Sequence, residues 1–519
     1  MHERDRLLTD FTSTGAAQQH SMGKLTVQRY VTGALAGVAV GSGVIALILS
    51  LVKITSVTLP PSFKYGMVFD AGSTHTSLFV YKWLADKENG TGLVTQLLLC
   101  DVDGPGISSY SSDPPRAGQS LRSCLDTAAA AIPSERQRES PVYLGATAGM
   151  RLLEMQSPVE TEQVLAEVRN TIRSYPFDFQ GARIISGAEE GAYGWITINY
   201  LLSSFIKFSY EGKWKHPKNG NLLGALDLGG ASTQITFAPK EQIKDKQSEA
   251  SFRLYGYEHT VYTHSFLCYG KEQFMNKILA KLVKEHSISS PVPHPCFPAG
   301  YQLNTTLGDI FTSPCTSKPE PYTPASAVTF KGSGTPAQCE ALVKTLVNLS
   351  ACTGKPECSF DGVYQPPVQG SYFAFAAFFY TFDFLKLAPQ STLDVTRRTI
   401  AAFCSRDWKS LKVEFPSEKD SRLREYCGAG YYITTLLVDA YKFDNQSWNN
   451  IVFQKKADDT DIGWTLGYML NLTNLIPSEA PPEVKGHDYD VWIGSLFFIV
   501  LAIAVCLLAI AVQCLGSPD

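Results

Sequence analysis

Tyr65-Gly66-Met67-Val68-Phe69-Asp70-Ala71-Gly72-Ser73-Thr74-His75-Thr76 has a counterpart in Ala225-Leu226-Asp227-Leu228-Gly229-Gly230-Ala231-Ser232-Thr233. Each copy is an apolar run ending in Asp, a Gly two places on, and then hydroxyl side chains. Each also leads into a second apolar run, Leu78-Phe79-Val80-Tyr81 or Gln234-Ile235-Thr236-Phe237, so both read as strand, tight turn, strand. Read singly, either copy could be an ordinary Asp-Gly hairpin turn. Two matching copies in one chain argue for a shared task. Glycine lets the backbone turn sharply and bring N–H groups up to phosphate oxygens, and Ser and Thr add donors. An Asp at the end of a strand can hold a hydrated Mg²⁺ or Ca²⁺, both of which prefer oxygen ligands. Two such loops facing one another would clamp a polyphosphate and its metal from both sides.

Outward from the two loops, strand and helix patterns mix. Glu160 to Ser174 places Val164, Leu165, Val168 and Ile172 at helical spacing, which predicts a helix, and Leu222 to Leu226 predicts a strand. Strands mixed with helices of this length predict an α/β fold. Lys207 to Asn221, rich in Lys, Gly and aromatics, reads as a solvated loop. Cys296 to Cys358 is loop-rich and dense in cysteine.

The two ends differ from the middle. Residues 30–52 and 491–514 carry no charged side chain, and each exceeds the roughly 20 residues needed to cross a bilayer. They are expected as transmembrane helices, and Gly33-x-x-x-Gly37 in the first permits close helix contact. Residues 1–29 are expected as a loose cytosolic tail, 53–61 and 478–490 as stalks, and 515–519 as a second cytosolic tail. Ten of the 12 cysteines lie between the spans, with N-x-S/T sequons at Asn89, Asn304, Asn348, Asn445 and Asn471. Together they predict an oxidising, extracellular compartment and a plasma-membrane protein with two passes. The net charge is -4. This argues against a nucleic-acid partner, which would favour a basic stripe.

Four blocks carry a resemblance: Met67 to Thr74; Tyr143-Leu144-Gly145-Ala146-Thr147-Ala148-Gly149-Met150-Arg151; Ile185-Ser186-Gly187-Ala188-Glu189-Glu190-Gly191-Ala192-Tyr193-Gly194-Trp195; and Ala225 to Gln234. A fifth lies near Phe373 to Phe384. In this order they resemble the ecto-nucleoside triphosphate diphosphohydrolases, the membrane apyrases, over nearly the whole chain. Among subtypes the nearest are type 8 and then type 2. Gly467 to Asn474 is similar to both, while Thr74-His75, Gly212-Lys213-Trp214 and Val484-Lys485-Gly486-His487 are more like type 8.

The resemblance implies two RNase H-like lobes of the actin, hexokinase and heat-shock-chaperone superfamily. Lobe I would span 62–186, completed by about 455–477, and lobe II would span 187–454. It also implies hydrolysis of extracellular ATP and other nucleoside triphosphates, and more weakly of diphosphates such as ADP, with Ca²⁺ or Mg²⁺. Glu190 rather than Glu189 is implied as general base. Ser232 and Gln234 would hold the attacking water, and Thr147 would contact phosphate or water. Asp70 and Asp227 would hold the metal through its waters. Gly72, Ser73, Thr74, His75, Gly229, Gly230 and Ala231 would line the phosphates. Tyr380 and Arg422 would sandwich the base, a mode that tolerates several bases. The implied disulfides are Cys100–Cys124, Cys268–Cys315, Cys296–Cys339, Cys352–Cys358 and Cys404–Cys427, a pairing spacing alone does not choose.

Without the resemblance, Glu189-Glu190 reads as a solvated acidic turn, Thr147 as a capping hydroxyl and Tyr380 as a core residue. The chain departs from the family at Thr74, where most members have Ser, and at Ala188, where many have Gln. A kinase-type transferase would need a second substrate pocket, for which no motif exists. A receptor without catalysis is disfavoured by Glu190, Ser232 and Gln234. No His/Cys pair outside the disulfide set has zinc spacing, and there is no Gly-x-x-x-x-Gly-Lys-Ser/Thr loop. The two spans could also associate into a homo-oligomer.

Overall fold

The computed structural model describes residues 4–51, 55–211, 213–217, 222–481 and 483–515. The chain divides into two units, Ser62–Glu479 and the paired ends Met1–Pro61 and Ala480–Asp519.

In the paired ends, Thr26–Leu51 and Tyr489–Leu515 are helical and long and apolar enough to cross a membrane. They lie antiparallel: Gln28 Nε2 donates to the carbonyl of Val512 at 3.0 Å near one end, and Gly494 faces Leu49 near the other. Large apolar side chains such as Leu47, Leu51, Leu507 and Ile510 stay exposed, as they would against lipid. The stalk strands Thr55–Thr58 and Glu483–Gly486 pair antiparallel. The N-terminal tail is not the loose segment expected. The first helix runs Arg4–Leu51, and no proline interrupts it. Val52, stalk residues 53 and 54, Gly212 and residues 218–221 of the expected loop, Pro482, and residues 516–519 of the C-terminal tail lie outside the described residues.

In Ser62–Glu479 the repeat is a repeat of sheets. The first sheet comprises β1 (Phe63–Ala71), β2 (Thr76–Leu84), β3 (Thr95–Val102), β4 (Pro141–Ala146) and β5 (Asp178–Ile184). Their spatial order is β3-β2-β1-β4-β5, antiparallel up to β1 and parallel beyond it. The second sheet comprises β6 (Gly224–Leu228), β7 (Ser232–Phe237), β8 (Glu249–Leu254), β9 (Tyr257–Leu267), β10 (Tyr372–Ala376) and β11 (Ile451–Phe453). Its order is β8-β9-β7-β6-β10-β11, again with parallel pairing only beyond the central strand. Without the edge strand β8 the two orders and directions coincide.

Strand alternation decides which side chains meet between the sheets. Met67, Phe69 and Ala71 join a core on one face of the first sheet, while Val68 joins a second core on the other face. In the second sheet, Leu226, Leu228, Ile235 and Phe237 belong to an outer core, and Ala225, Phe373 and Phe375 to the shared one. The shared core is filled by two helices, Gly187–Leu201 and Trp464–Thr473, which pack on each other and contribute Trp195, Ile196, Leu466 and Met469. Each fully buried aliphatic side chain there contributes roughly 1.5–3 kcal/mol. By the same alternation Asp70 follows Val68, Asp227 follows Ala225, and Ser232 and Gln234 alternate with Ile235. All four therefore sit on the side shared by the two sheets.

The five disulfides pair as the resemblance implies: Cys100–Cys124, Cys268–Cys315, Cys296–Cys339, Cys352–Cys358 and Cys404–Cys427. The expected loop at 207–221 contains a short antiparallel hairpin, Lys207–Phe208 with Trp214–Lys215. Asn89, Asn304, Asn348 and Asn445 are exposed, whereas Asn471 is half-buried within the helix Trp464–Thr473.

Candidate active site

Asp70 stands one residue before the end of β1, opposite Ser77 of β2 and Gly145 of β4. Asp227 stands one residue before the end of β6, opposite Gln234 of β7 and Phe375 of β10. Each aspartate is thus at the centre of its sheet, where antiparallel pairing gives way to parallel, and at the mouth of a hydroxyl-bearing turn. The two turns approach one another at Gly230. A Cβ there would lie 2.7 Å from Ser73 Oγ and 2.9 Å from Thr74 Cγ2, so a side chain at this position would have to push both groups of the facing loop aside.

The cleft between them holds about 650 Å³. Asp70, Gly72, Ser73, Thr74, His75, Thr147, Glu190, Asp227, Gly229, Gly230, Ala231, Ser232, Tyr380 and Arg422 all line it. His75 is exposed, with Nδ1 2.9 Å from Thr74 Oγ1. Thr147 occupies the N-cap position of the helix Ala148–Gln156, as a capping hydroxyl would, but its side chain makes no capping bond.

Glu189 and Glu190 are neighbours with opposite environments. The helix Gly187–Leu201 opens with a capping box: the Ser186 hydroxyl accepts from Glu189 N, and the Glu189 carboxylate accepts from Ser186 N at 2.8 Å. Glu189 also pairs with Arg183 at 2.7 Å. Glu190, one residue on, turns inward and is buried. It pairs with Arg151 and accepts from Gln234 Nε2 at 3.1 Å, and that same Nε2 lies 2.7 Å from Ser232 Oγ and 2.9 Å from Ser265 Oγ. The glycines at either side let this helix sit directly on the second sheet: a Cβ on Gly187 would lie 2.2 Å from Ser265 Cβ, and one on Gly191 2.7 Å from Thr236 Oγ1.

The electrostatics are one-sided. Burial pushes Glu190 up to about 7, with Arg151 opposing and Asp70 adding to the rise. Burial pushes Asp70 up to about 6, and burial together with the charges of Glu190 and Asp70 holds Asp227 well above the usual carboxylate range. Asp70 Oδ1 is buried without a hydrogen-bond partner. Three carboxylates that destabilise one another's charge, one with an open acceptor, are a donor set suited to a hydrated divalent cation. Among the described residues no three His, Cys, Asp or Glu side chains converge tightly enough to enclose an ion directly.

Tyr380 and Arg422 also line an adjoining space of about 610 Å³ that runs beside the loops. Tyr380 is not a core residue. Phe378 and Phe382 take the buried face of the helix Ala377–Phe384, and Tyr380, between them, is 54% exposed.

Several residues of the site were not singled out from sequence. Arg151 belongs to a quoted block yet was assigned no task. Ser265 comes from β9. Ala376, in the cleft wall, adopts φ 54°, a strained conformation for a residue with a Cβ. Lys455, Asp461 and Trp464 enter from the segment that follows β11. Ser265, Lys455, Asp461 and Trp464 belong to no local pattern that sequence spacing would reveal.

Two sheets of matching order each present an aspartate and a glycine-hydroxyl turn to a common cleft, a frame suited to an enzyme that handles phosphate. Comparison with known proteins agrees: a family described as GDA1/CD39 (nucleoside phosphatase) matches residues 56–485. The chain belongs to the GDA1/CD39 (nucleoside phosphatase) family, whose members act on nucleotide phosphates and depend on divalent cations. Ectonucleoside triphosphate diphosphohydrolase 8 of Gallus gallus is 54% identical over 94% of this chain and 98% of its own length. The Homo sapiens protein of the same description is 47% identical over 94% and 98%. Ectonucleoside triphosphate diphosphohydrolase 2 of Mus musculus is 47% identical over 92% and 96%. A crystal structure of nucleoside triphosphate hydrolases from Neospora caninum is similar in fold, with a TM-score of 0.56 at 15% identity, covering 84% of this chain and 95% of that one.

Proposed function

We propose that this protein hydrolyses the terminal phosphate of extracellular nucleoside triphosphates and, more weakly, diphosphates, and so ends ATP signalling outside the cell. The observation that carries this reading is the buried Glu190, joined through Gln234 to Ser232 and set in the cleft between the two aspartate-bearing turns.

Phosphoanhydride hydrolysis needs positioning, charge neutralisation and an activated water. Ser232 and Gln234 orient the water, and Glu190 accepts its proton as it attacks in line with the leaving oxygen. Thr147 and the turns Gly72–His75 and Gly229–Ala231 hold the phosphates through N–H and hydroxyl donors. Ca²⁺ or Mg²⁺, held by Asp70 and Asp227 through water, would supply the neutralising charge. Tyr380 and Arg422 stack on the base from either side, which admits several bases.

Around this site the divisions expected from sequence stand as part of the proposal: lobe I at 62–186 completed by about 455–477, lobe II at 187–454, and spans near 30–52 and 491–514. The disulfides and sequons favour an extracellular catalytic region at the plasma membrane, and the antiparallel spans leave room for homo-oligomers.

Phosphate release from ATP and ADP by intact expressing cells tests the reading, with Ca²⁺ or Mg²⁺, with EDTA, and with Glu190→Gln. Metal-dependent release that the substitution abolishes is the expected result. A surface-expressed wild type that releases none would overturn it.

A further inference from the structure

A type I′ hairpin follows β11. Lys456 and Ala457 pair antiparallel with Asp461 and Thr460. The two turn residues Asp458 and Asp459 both adopt positive φ, 48° and 57°. This turn matches the twist of its strands and holds them without slack. The base of the hairpin is closed by Ile462 N donating to the Lys455 carbonyl at 3.1 Å.

The hairpin and its continuation lie along the cleft. At one end Lys455 shares the cleft wall with Tyr380 and Arg422. At the other end Trp464 packs so closely on β4 that a Cβ on Gly145 would lie 2.3 Å from its ring, and Gly145 is the register partner of Asp70. Asp461 falls between, in the same wall. Its Oδ1 is buried and ion-paired with Lys455 Nζ at 3.4 Å, a long contact that leaves the oxygen's other lone pair open. A buried carboxylate oxygen with an open lone pair is costly to leave unsatisfied.

On the reading proposed above, the base rests at Tyr380 and Arg422 and the phosphates at Asp70. The part of a nucleotide that links them is its sugar. We infer that Asp461 accepts a hydrogen bond from a ribose hydroxyl, making this rigid hairpin the element that selects ribonucleotides over deoxyribonucleotides. The inference rests on the proposed function, but it concerns only the sugar.

The test compares kcat/KM for ATP, 2′-deoxyATP and 3′-deoxyATP, using the full-length protein on cells and its Asp461→Ala variant. A hydrogen bond to a charged acceptor predicts a wild-type preference for ATP over one of the two deoxy forms of roughly tenfold. In Asp461→Ala that preference is expected to collapse toward unity, chiefly through KM for ATP, because the acceptor is gone for every sugar. A wild type that treats all three alike overturns the inference. So does a variant that weakens all three equally and keeps the ratio, since that marks Asp461 as merely closing the hairpin. If Asp461→Ala fails to reach the surface, Asp461→Asn decides: its neutral oxygen is a weaker acceptor, and the ratio is expected to fall about threefold, an unchanged ratio counting against the assignment. A wild type that hydrolyses none of the three brings down the proposed function itself, and this inference with it.

Discussion

Gln234 donates to Glu190 Oε2 at 3.1 Å, while its own Oε1 is buried and has no hydrogen-bond partner. On the proposed mechanism that free acceptor is the one offered to the attacking water, with Glu190 as the base. Glu190→Gln should lower kcat by about 10²–10⁴-fold, the usual weight of a general base. Gln234→Ala should lower it by a smaller factor, with KM for ATP little changed in both. Loss confined to KM in either variant would remove them from the chemical step. Phosphate-release kinetics at saturating ATP make the distinction.

The pairing of Glu190 with Arg151 gives a pH prediction. On the proposed mechanism Glu190 acts in its ionised form, so kcat/KM should rise with pH as it loses its proton, near 7 in the metal-free protein and lower once a cation is bound. Arg151 favours the ionised form. Removing its charge in Arg151→Met should move the rising limb to higher pH, and Arg151→Lys should move it less. A limb that does not shift in Arg151→Met would mean that Arg151 serves packing alone.

The same carboxylates link stability to pH and metal. Asp70 and Glu190 are raised to about 6 and about 7 in the folded protein, above their ordinary values, and Asp227 is raised too. Their protonated forms therefore favour the fold fully below pH of about 4, and that contribution is lost as pH rises through 6 and 7. Thermal unfolding in EDTA should fall by several degrees between pH 5 and 8. Ca²⁺ or Mg²⁺ should restore more at pH 8 than at pH 5. Asp70→Asn should flatten both trends; unchanged slopes would separate these groups from the metal.

Gly230 gives a steric prediction. Gly230→Ala would press a methyl group against Ser73 Oγ and Thr74 Cγ2 and open the gap between the turns. Activity should fall by tenfold or more, as small misplacements do in positioned reactions, while the melting temperature moves little because the clash is at a cleft edge. A variant with near wild-type kcat would show that the turns need not close on one another.

At the base end, Tyr380→Ala should raise KM for ATP and for nucleotides of other bases by roughly tenfold alike, since stacking is worth about 1–3 kcal/mol and ignores base identity. Tyr380→Phe should retain most of that affinity. Selective loss for one base would point to hydrogen-bond readout instead.

The repeat at Asp70 and Asp227 made the fold legible, because strand alternation fixes which face each aspartate occupies once the strands are known. Which of Glu189 and Glu190 turns toward the cleft was legible only by resemblance. Its physical basis is the capping box that draws Glu189 back to Ser186, a contact three residues long that the sequence contains but does not announce. Tyr380 looked like core because its neighbours are aromatic; helical phase turned it outward. Ser265 and Arg151 stayed hidden because they reach Gln234 and Glu190 across 31 and 39 residues of chain. The hairpin bearing Asp461 lacks the Gly that usually marks such a turn, so nothing local flagged it.

The first and last residues of the catalytic unit are held together: Ser62 Oγ donates to Glu479 Oε2 at 3.2 Å, and Lys64 pairs with Glu479 at 2.8 Å. Beyond them, the stalk strands Thr55–Thr58 and Glu483–Gly486 are bonded side by side. On the proposed two-span topology, a protease that severs one stalk leaves the enzyme moored by the other, so its release requires two cuts.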